Sequence, residues 1–248
     1  MTPDNIPFRT GVINPVECLK EGWALVKDQY WLFLGISVVG IVIGKAVPVV
    51  LLGPMMAGIF LCLFQRMRNQ KVEFADLFKG FDYFVPSLIV AVVRIVPILL
   101  LIVPFYIIMF TVMFSTMPRG RGNSGGAPGF LFAFFGLELV FVAVLLTVII
   151  VIEILFLFAF PLVVDRKLSG LEAIKLSIKA ARTNLGGVAG LVLLNVALGI
   201  VGVFCCIVGV YFVLPVTLAA DAIAYRRVFP EVSQNFPSPP PPPANWAA

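Results

Sequence analysis

Two apolar stretches constrain this chain more than any other feature. Residues 84–114 contain one charged side chain, Arg94, and residues 130–164 contain two, Glu138 and Glu153. A bilayer-spanning helix needs about 20 apolar residues. A helix that is apolar on every face has to be surrounded by apolar material. The stretches therefore predict a lipid solvent. Composition points the same way: 60% of the residues are hydrophobic and 12% charged, with mean hydropathy +1.06. Soluble domains run at roughly 45–50% apolar and 25% charged, so this chain has too few polar side chains to cover a water-facing surface. The fold class that follows is an all-α integral membrane protein.

Six spans can be read along the chain, at residues 31–50, 53–64, 84–114, 130–164, 187–203 and 206–225. The second is short enough to be re-entrant instead. The third and fourth are longer than a bilayer needs, so they should tilt, kink or protrude. Pro97 and Pro104 are the expected kink sites in the third, and Pro161 should bend or end the fourth. Residues 1–30 carry Asp4, Glu17, Glu21 and Asp28 and lack the clean apolar core of a signal peptide, so insertion is expected to start at the first span. With the N-terminus inside, the inner segments hold Arg9, Lys20, Lys27, Arg66, Arg68, Lys71, Lys79, Arg166, Lys167, Lys175, Lys179, Arg182, Arg226 and Arg227. The outer loop 116–129, Gly-rich and expected to be mobile, holds only Arg119 and Arg121. The positive-inside rule then puts both termini in the cytoplasm of a cell membrane, in the bacterial reading the inner membrane. The net charge of +5 belongs to these loops, and no nucleic-acid partner is expected.

The chain also carries an internal repeat. Asn14-Pro15-Val16-Glu17 has the form of a helix start, with Asn as N-cap, Pro at the first position and Glu at the third; Ser169-Gly170-Leu171-Glu172 is a capping box of the same form, 155 residues later. The apolar positions Val16, Leu19, Trp23, Val26 and Tyr30 match Leu171, Ile174, Ile178, Ala181 and Leu185 at the same offset. Glu17/Glu172, Lys20/Lys175, Lys27/Arg182, Gln29/Asn184 and Gly35/Gly190 match as well. A second match, at an offset of 161, pairs Pro54 with Pro215, Phe64 with Tyr225 and Arg66 with Arg227. The unit reads as an amphipathic helix lying in the inner interface, a span, a Pro-started span and an Arg. The organisation is thus an N-terminal cytoplasmic segment 1–13, a membrane domain 14–229 and a Pro-rich cytoplasmic tail 230–248. Within the membrane domain, parallel repeat units 14–68 and 169–229 flank a hairpin 84–164.

Several segments resemble a loose family of uncharacterised bacterial multi-pass membrane proteins, and are similar to the membrane domain attached to some glycerophosphodiester phosphodiesterases. They are G-P-M-M-A-G at 53–58, L-F-K-G-F-D-Y-F at 77–84 and P-L-V-V-D-R-K-L-S-G-L-E-A-I-K-L-S at 161–177. The resemblance implies a six-helix domain and no established activity. Phosphodiesterase chemistry in those proteins belongs to a separate soluble domain that uses histidines and carboxylates. This chain has no histidine, so that chemistry cannot be carried over to any residue here.

The absence of histidine also removes the usual general base, the commonest metal ligand and Ser/Cys–His nucleophile pairs. Cys18, Cys62, Cys205 and Cys206 lack C-x-x-C spacing and read as small buried hydrophobes. No catalytic residue, metal site or cofactor is expected. The candidates that remain are charges inside spans, which cost a few kcal/mol or more at a helix centre unless partnered. They are Arg94, Glu153, Lys45, Glu138 and, nearer the inner boundary, Asp221. Arg94 lies about 15 Å from the inner side and Glu153 about 18 Å at 1.5 Å per residue, and the two should pair. Lys45 and Glu138 form a second candidate pair. Asp221 is expected to reach Arg226 and Arg227 or to face a cytoplasmic vestibule, and Asn195 to bond between helices. Gly40/Gly44 and Gly186/Gly190 should allow close packing within the bundle.

Residues 73–83 read as a short aromatic helix ended by Gly80, with Phe74, Leu77, Phe78 and Phe81 on one face and Asp76 and Lys79 pointing elsewhere. Lys20, Lys27, Lys175, Lys179 and Arg182 are candidates for contact with lipid headgroups. The tail F-P-S-P-P-P-P-P-A-N-W-A-A should be extended polyproline II. Pro239, Pro240, Pro241, Pro242, Pro243 and Trp246 are candidates for docking a protein partner. These features favour a non-enzymatic scaffold or accessory subunit organising lipids or membrane partners, with homo-oligomerisation open. The alternative is a small transporter with a polar site at mid-membrane. An enzyme acting on lipid is the weakest class, because no nucleophile–base or metal constellation is present.

Overall fold

The structure, a computed structural model, describes residues 6–47, 50–116, 127–204 and 208–231, the side chains of residues 116 and 127–133 excepted. The outer-loop arginines 119 and 121, Cys205, Cys206, and the tail residues Pro239 to Pro243 and Trp246 lie outside the described residues. Every regular element among the described residues is helical. The main ones are α1 (Pro15–Val26), α2 (Tyr30–Ala46), α3 (Leu52–Met67), a 3-10 helix (Phe74–Tyr83), α4 (Phe84–Thr116), α5 (Ala127–Phe156), α6 (Ala159–Arg166), α7 (Gly170–Thr183), α8 (Leu185–Phe204) and α9 (Gly209–Val228). Four helical stretches are long and apolar enough to cross a membrane: Pro15–Ala46, Phe74–Ser115, Phe134–Arg166 and Leu185–Phe204. Of the six spans read from sequence, the second is the shorter apolar helix Leu52–Met67. The sixth is α9, which carries Asp221, Arg226 and Arg227.

Local chemistry sets the boundaries. The Asn14 side chain accepts the Glu17 amide at 3.4 Å with Pro15 at the first helical position, which starts α1. Ser169 and Glu172 cap each other's backbone at the start of α7. Glu73 and Asp76 do the same for the 3-10 helix. α4 runs unbroken through Pro97 and Pro104. The break comes instead between α5 and α6, at Leu157–Phe158. Pro161 has no N–H to donate to the Leu157 carbonyl. Ser177 of α7 bonds the backbone on either side of that carbonyl: its hydroxyl donates to the Leu155 carbonyl at 2.7 Å and accepts the Phe158 amide at 3.3 Å.

The packing is cyclic. Each of the pairs α2–α3, α4–α5/α6 and α8–α9 is preceded by a short helix, and each short helix packs on the second member of the preceding pair. The 3-10 helix lies on α3, α7 on α5 and α6, and α1 on α9. The first member of each pair also meets the preceding second member: α4 meets α3, α8 meets α5 and α2 meets α9. Close approach requires small residues at these crossings. A methyl on Gly22 would meet the α9 backbone at Ala220 at 2.8 Å. Gly58 and Gly80 face each other, and a methyl on either would overlap backbone across the crossing. Gly80 is therefore an interior contact and does not end its helix, which continues to Tyr83. Leu77 is fully buried while Phe74, Phe78 and Phe81 are exposed, so the four do not share one face as the sequence reading had it, and Asp76 is buried rather than turned away. The 3-10 winding puts residues three apart in line, which separates Phe78 and Phe81 from Leu77; Phe74, three before Leu77, stays exposed at the first turn. The winding aligns Leu77 and Gly80 toward α3 and Phe78 and Phe81 outward.

Two expectations follow. Gly58→Ala overpacks the crossing and should lower stability by roughly 1–3 kcal/mol, read as the thermal midpoint in detergent. Gly199→Ala, with open space at its Cβ, should be neutral or stabilising. For the α7 cap, hydrogen bonds from the Ser169 hydroxyl and backbone N–H hold the Glu172 carboxyl below its ordinary value. Its contribution is present above the ordinary Glu range and is lost as pH falls through the lowered value. Hydrogen exchange at residues 170–174, corrected for intrinsic rate, should accelerate on acidification in the native chain and less steeply in Glu172→Gln.

Candidate functional site

The charged groups collect at three levels. At mid-bundle, about 15 Å along α4 from Phe84, Arg94 pairs directly with Glu153 of α5, as their depths predict. Asp221 of α9 accepts a hydrogen bond from Asn195 of α8 at 2.9 Å. It lies within electrostatic reach of both Arg94 and Glu153. Two polar pairs thus stand at this level, one joining α4 to α5 and one joining α8 to α9. Asp221 does not reach Arg226 or Arg227. It sits more than a helical turn before them, and they are held elsewhere.

The expected Lys45–Glu138 pair does not form among the described residues. Glu138 accepts the Tyr106 hydroxyl at 3.0 Å, and Lys45 is exposed at the end of α2. The reason is geometric: α4 and α5 continue well past the outer end of α2, so Glu138 projects toward α4 rather than toward α2.

The level at which α3, α6 and α9 end holds the densest cluster, and its centre was not singled out from sequence. Asp165, with 5% of its side chain exposed, accepts Arg226 at 2.7 Å, Arg68 at 3.4 Å and the Tyr225 hydroxyl at 2.7 Å, with the Arg166 guanidinium at 3.1 Å. Glu231 bridges Arg68 at 2.9 Å and Arg226 at 3.4 Å. One arginine therefore comes from the inner end of each second helix: Arg68 after α3, Arg166 of α6 and Arg226 of α9. Arg226 also lies over the Phe64 ring at 4.4 Å, within the cation–π range. Phe64, Phe158, Tyr225 and Phe229 pack together above it, with centroids 5.2–6.4 Å apart. The sequence signal was available: arginines stand at or just past the end of each of three Pro-bearing apolar segments, Arg68, Arg166 and Arg226 among them, and Asp165 is the acid beside the middle one. Arg227 turns outward to Glu17 at 3.0 Å and Glu21 at 2.7 Å, fastening α1 to α9.

The N-terminal segment straps this inner face. Arg9 donates its backbone N–H to Val228, Gly11 to the Asn184 side chain at 2.7 Å, and Asn184 returns a bond to the Arg9 carbonyl. Lys20, Lys27, Lys175, Lys179 and Arg182 are exposed and form no ion pair among the described residues. Cys18 and Cys62 are buried free thiols. No group of three His, Cys, Asp or Glu side chains among the described residues could hold a metal ion.

Two cavities accompany these clusters. One, of about 310 Å3, lies between the outer halves of α4 and α5, lined by Tyr106, Met109, Phe110, Met113, Phe134 and Glu138. The other, of about 240 Å3, lies at the inner face between Gly11, Ile13 and residues 183–187. No family model, no curated protein and no solved structure matches the chain.

The mid-bundle pair gives a prediction. Arg94→Met or Glu153→Leu alone leaves an uncompensated charge and should lower the thermal midpoint in lipid nanodiscs. The double variant should recover most of the loss. A double variant whose loss is the sum of the two single losses would mean that the groups do not act as a pair.

Proposed function

We propose that this chain is a non-enzymatic protein of the cell membrane that acts as a scaffold or accessory subunit, organising lipids or membrane partners from its cytoplasmic face. The observation that carries this reading is that its polar groups are engaged with one another: Arg94 with Glu153, Asp221 with Asn195, and three arginines with Asp165. Such pairs hold helices together in a medium that cannot solvate them. In this reading the chain crosses the membrane six times with both termini cytoplasmic, in a bacterium at the inner membrane. The three short capped helices lie in the inner interface. Their outward residues Val16, Trp23, Phe74, Phe78, Phe81 and Leu171 are exposed to acyl chains, and their free lysines are available to headgroups.

The repeat is then three-fold rather than two-fold. Caps Asn14, Glu73 and Ser169 are each followed three residues later by an acid (Glu17, Asp76, Glu172) and six residues later by a lysine (Lys20, Lys79, Lys175). The cyclic packing of the short helices supports this arrangement. It is in keeping with the resemblance to the membrane domain of some glycerophosphodiester phosphodiesterases, and it implies no catalytic role.

The transporter reading keeps one supporting observation, the convergence of Arg94, Glu153, Asn195 and Asp221 from four helices. Purification of the full chain and of a chain ending at Asn235 in mild detergent, followed by native mass spectrometry, separates the two. An accessory subunit should carry a stoichiometric protein partner that is lost with the Pro-rich tail. A chain that carries only a small molecule, unaffected by truncation and released in Glu153→Gln, would overturn the scaffold reading in favour of transport.

A further inference from the structure

The long hairpin α4–α5 outruns the rest of the bundle. α2 and α3, with 17 and 16 residues, are about 25 Å long at 1.5 Å per residue, whereas α4, with 33, is about 50 Å. Tyr106 lies about 33 Å along α4 from Phe84, which for a hydrocarbon core of about 30 Å is its outer boundary. At this level the two helices face each other through a parallel stack of Phe105 on Phe141, with centroids 3.5 Å apart. Just beyond the stack they leave the cavity of about 310 Å3 between them.

The walls of this cavity are Tyr106, Met109, Phe110, Met113 and Phe134, and Glu138 is the one ionisable acid in its lining. Glu138 accepts one hydrogen bond, from Tyr106, and has no cation within ion-pair distance among the described residues. A carboxylate set in an apolar wall at a lipid boundary calls for a positive counterpart or a proton. Aromatic faces and thioethers around it suit an organic cation better than a hydrated metal ion. The rings attract ammonium groups through their negative faces, and methionine side chains adapt to irregular apolar shapes. Glu153 at mid-bundle and Asp165 in the inner cluster differ in being already paired with arginines.

We propose that the groove between the outer halves of α4 and α5 binds an amphiphile with an ammonium head and an apolar tail, the head against Glu138 and the rings of Tyr106, Phe110 and Phe134, and the tail between Met109 and Met113. The same chemistry can arrive as an aminophospholipid of the outer leaflet or as a free hydrophobic amine from the outer side. This site is separate from the cytoplasmic features on which the scaffold reading rests, and it stands or falls independently of it.

The test uses the full chain in nanodiscs of anionic phosphatidylglycerol, with empty discs as the baseline for partitioning. Dodecylammonium should bind saturably at one site by calorimetry, while dodecanol and dodecanoate should show only partitioning. Glu138→Gln should weaken dodecylammonium binding at least tenfold at an unchanged thermal midpoint. Met109→Trp, which fills the cavity and leaves the carboxylate in place, should abolish it. Phosphatidylethanolamine in the disc should compete if the ligand is a lipid, and leave the affinity unchanged if it is a free amine. Equal binding of dodecanoate, or undiminished binding in Glu138→Gln and Met109→Trp, would overturn the proposal. A dimer that Met109→Trp converts to monomer, with no dodecylammonium uptake in the native chain, would overturn it too and assign the groove to a second copy.

Discussion

Asp165 is the point at which the bundle is tied. Its carboxylate sits at the inner end of α6 and is shared by Arg68, Arg166, Arg226 and the Tyr225 hydroxyl. These groups follow or belong to the second helix of each pair, so one buried anion fixes the mutual position of α3, α6 and α9. A buried charge pair adds little net stability against a well-packed apolar alternative, but removing one partner is expensive. The value of such a cluster lies in register. Apolar helices slide past one another at little energetic cost, and in lipid no hydrophobic difference selects one alignment over another. A carboxylate that must meet Arg68 and Arg226 from two other helices at once supplies the selection. The aromatic group Phe64, Phe158, Tyr225 and Phe229 packs on top of this knot and shields it.

From that fixed point the remaining contacts follow in a ring. Each second helix carries the short helix of the next pair across it, and the crossings are closed by small residues or by a hydroxyl. Gly22 meets α9, Gly58 meets Gly80, and Ser177 meets the break at Leu157–Phe158. Ser177 and Pro161 act as a unit, since proline frees a carbonyl turn and serine supplies bonds to the backbone beside it. The outer ends are held differently. α4 and α5 leave the ring and meet through Phe105, Phe141, Tyr106 and Glu138, which is why the outer cavity lies between these two helices.

Much of the architecture was legible in the chain. The apolar runs marked the helices to within a few residues, because in lipid length and hydropathy leave few alternatives to a helix. The caps at Asn14 and Ser169 started helices where their side chains could reach a free amide. The Arg94–Glu153 pairing followed from depth alone, since two helices joined by one loop bring similar depths together. The third cap, at Glu73, was harder to read. Its helix is a shorter 3-10 segment, and its acid and lysine sit within an aromatic run that looks like a membrane face.

The sequence by itself determined the helices, their apolar length and which charges would need partners, because each of these depends on local composition and spacing. Only the tertiary structure decided who the partners are. Lys45 and Glu138 differ in reach because α2 stops while α5 continues, a difference of helix length that appears only once the helices stand side by side. Asp221 turned to Asn195, and Arg226 and Arg227 to Asp165 and Glu17, because the rotation of α9 about its axis is set by the close crossing with α1 at Gly22. Rotation and register are properties of contacts between distant segments, and a list of residues in order does not contain them.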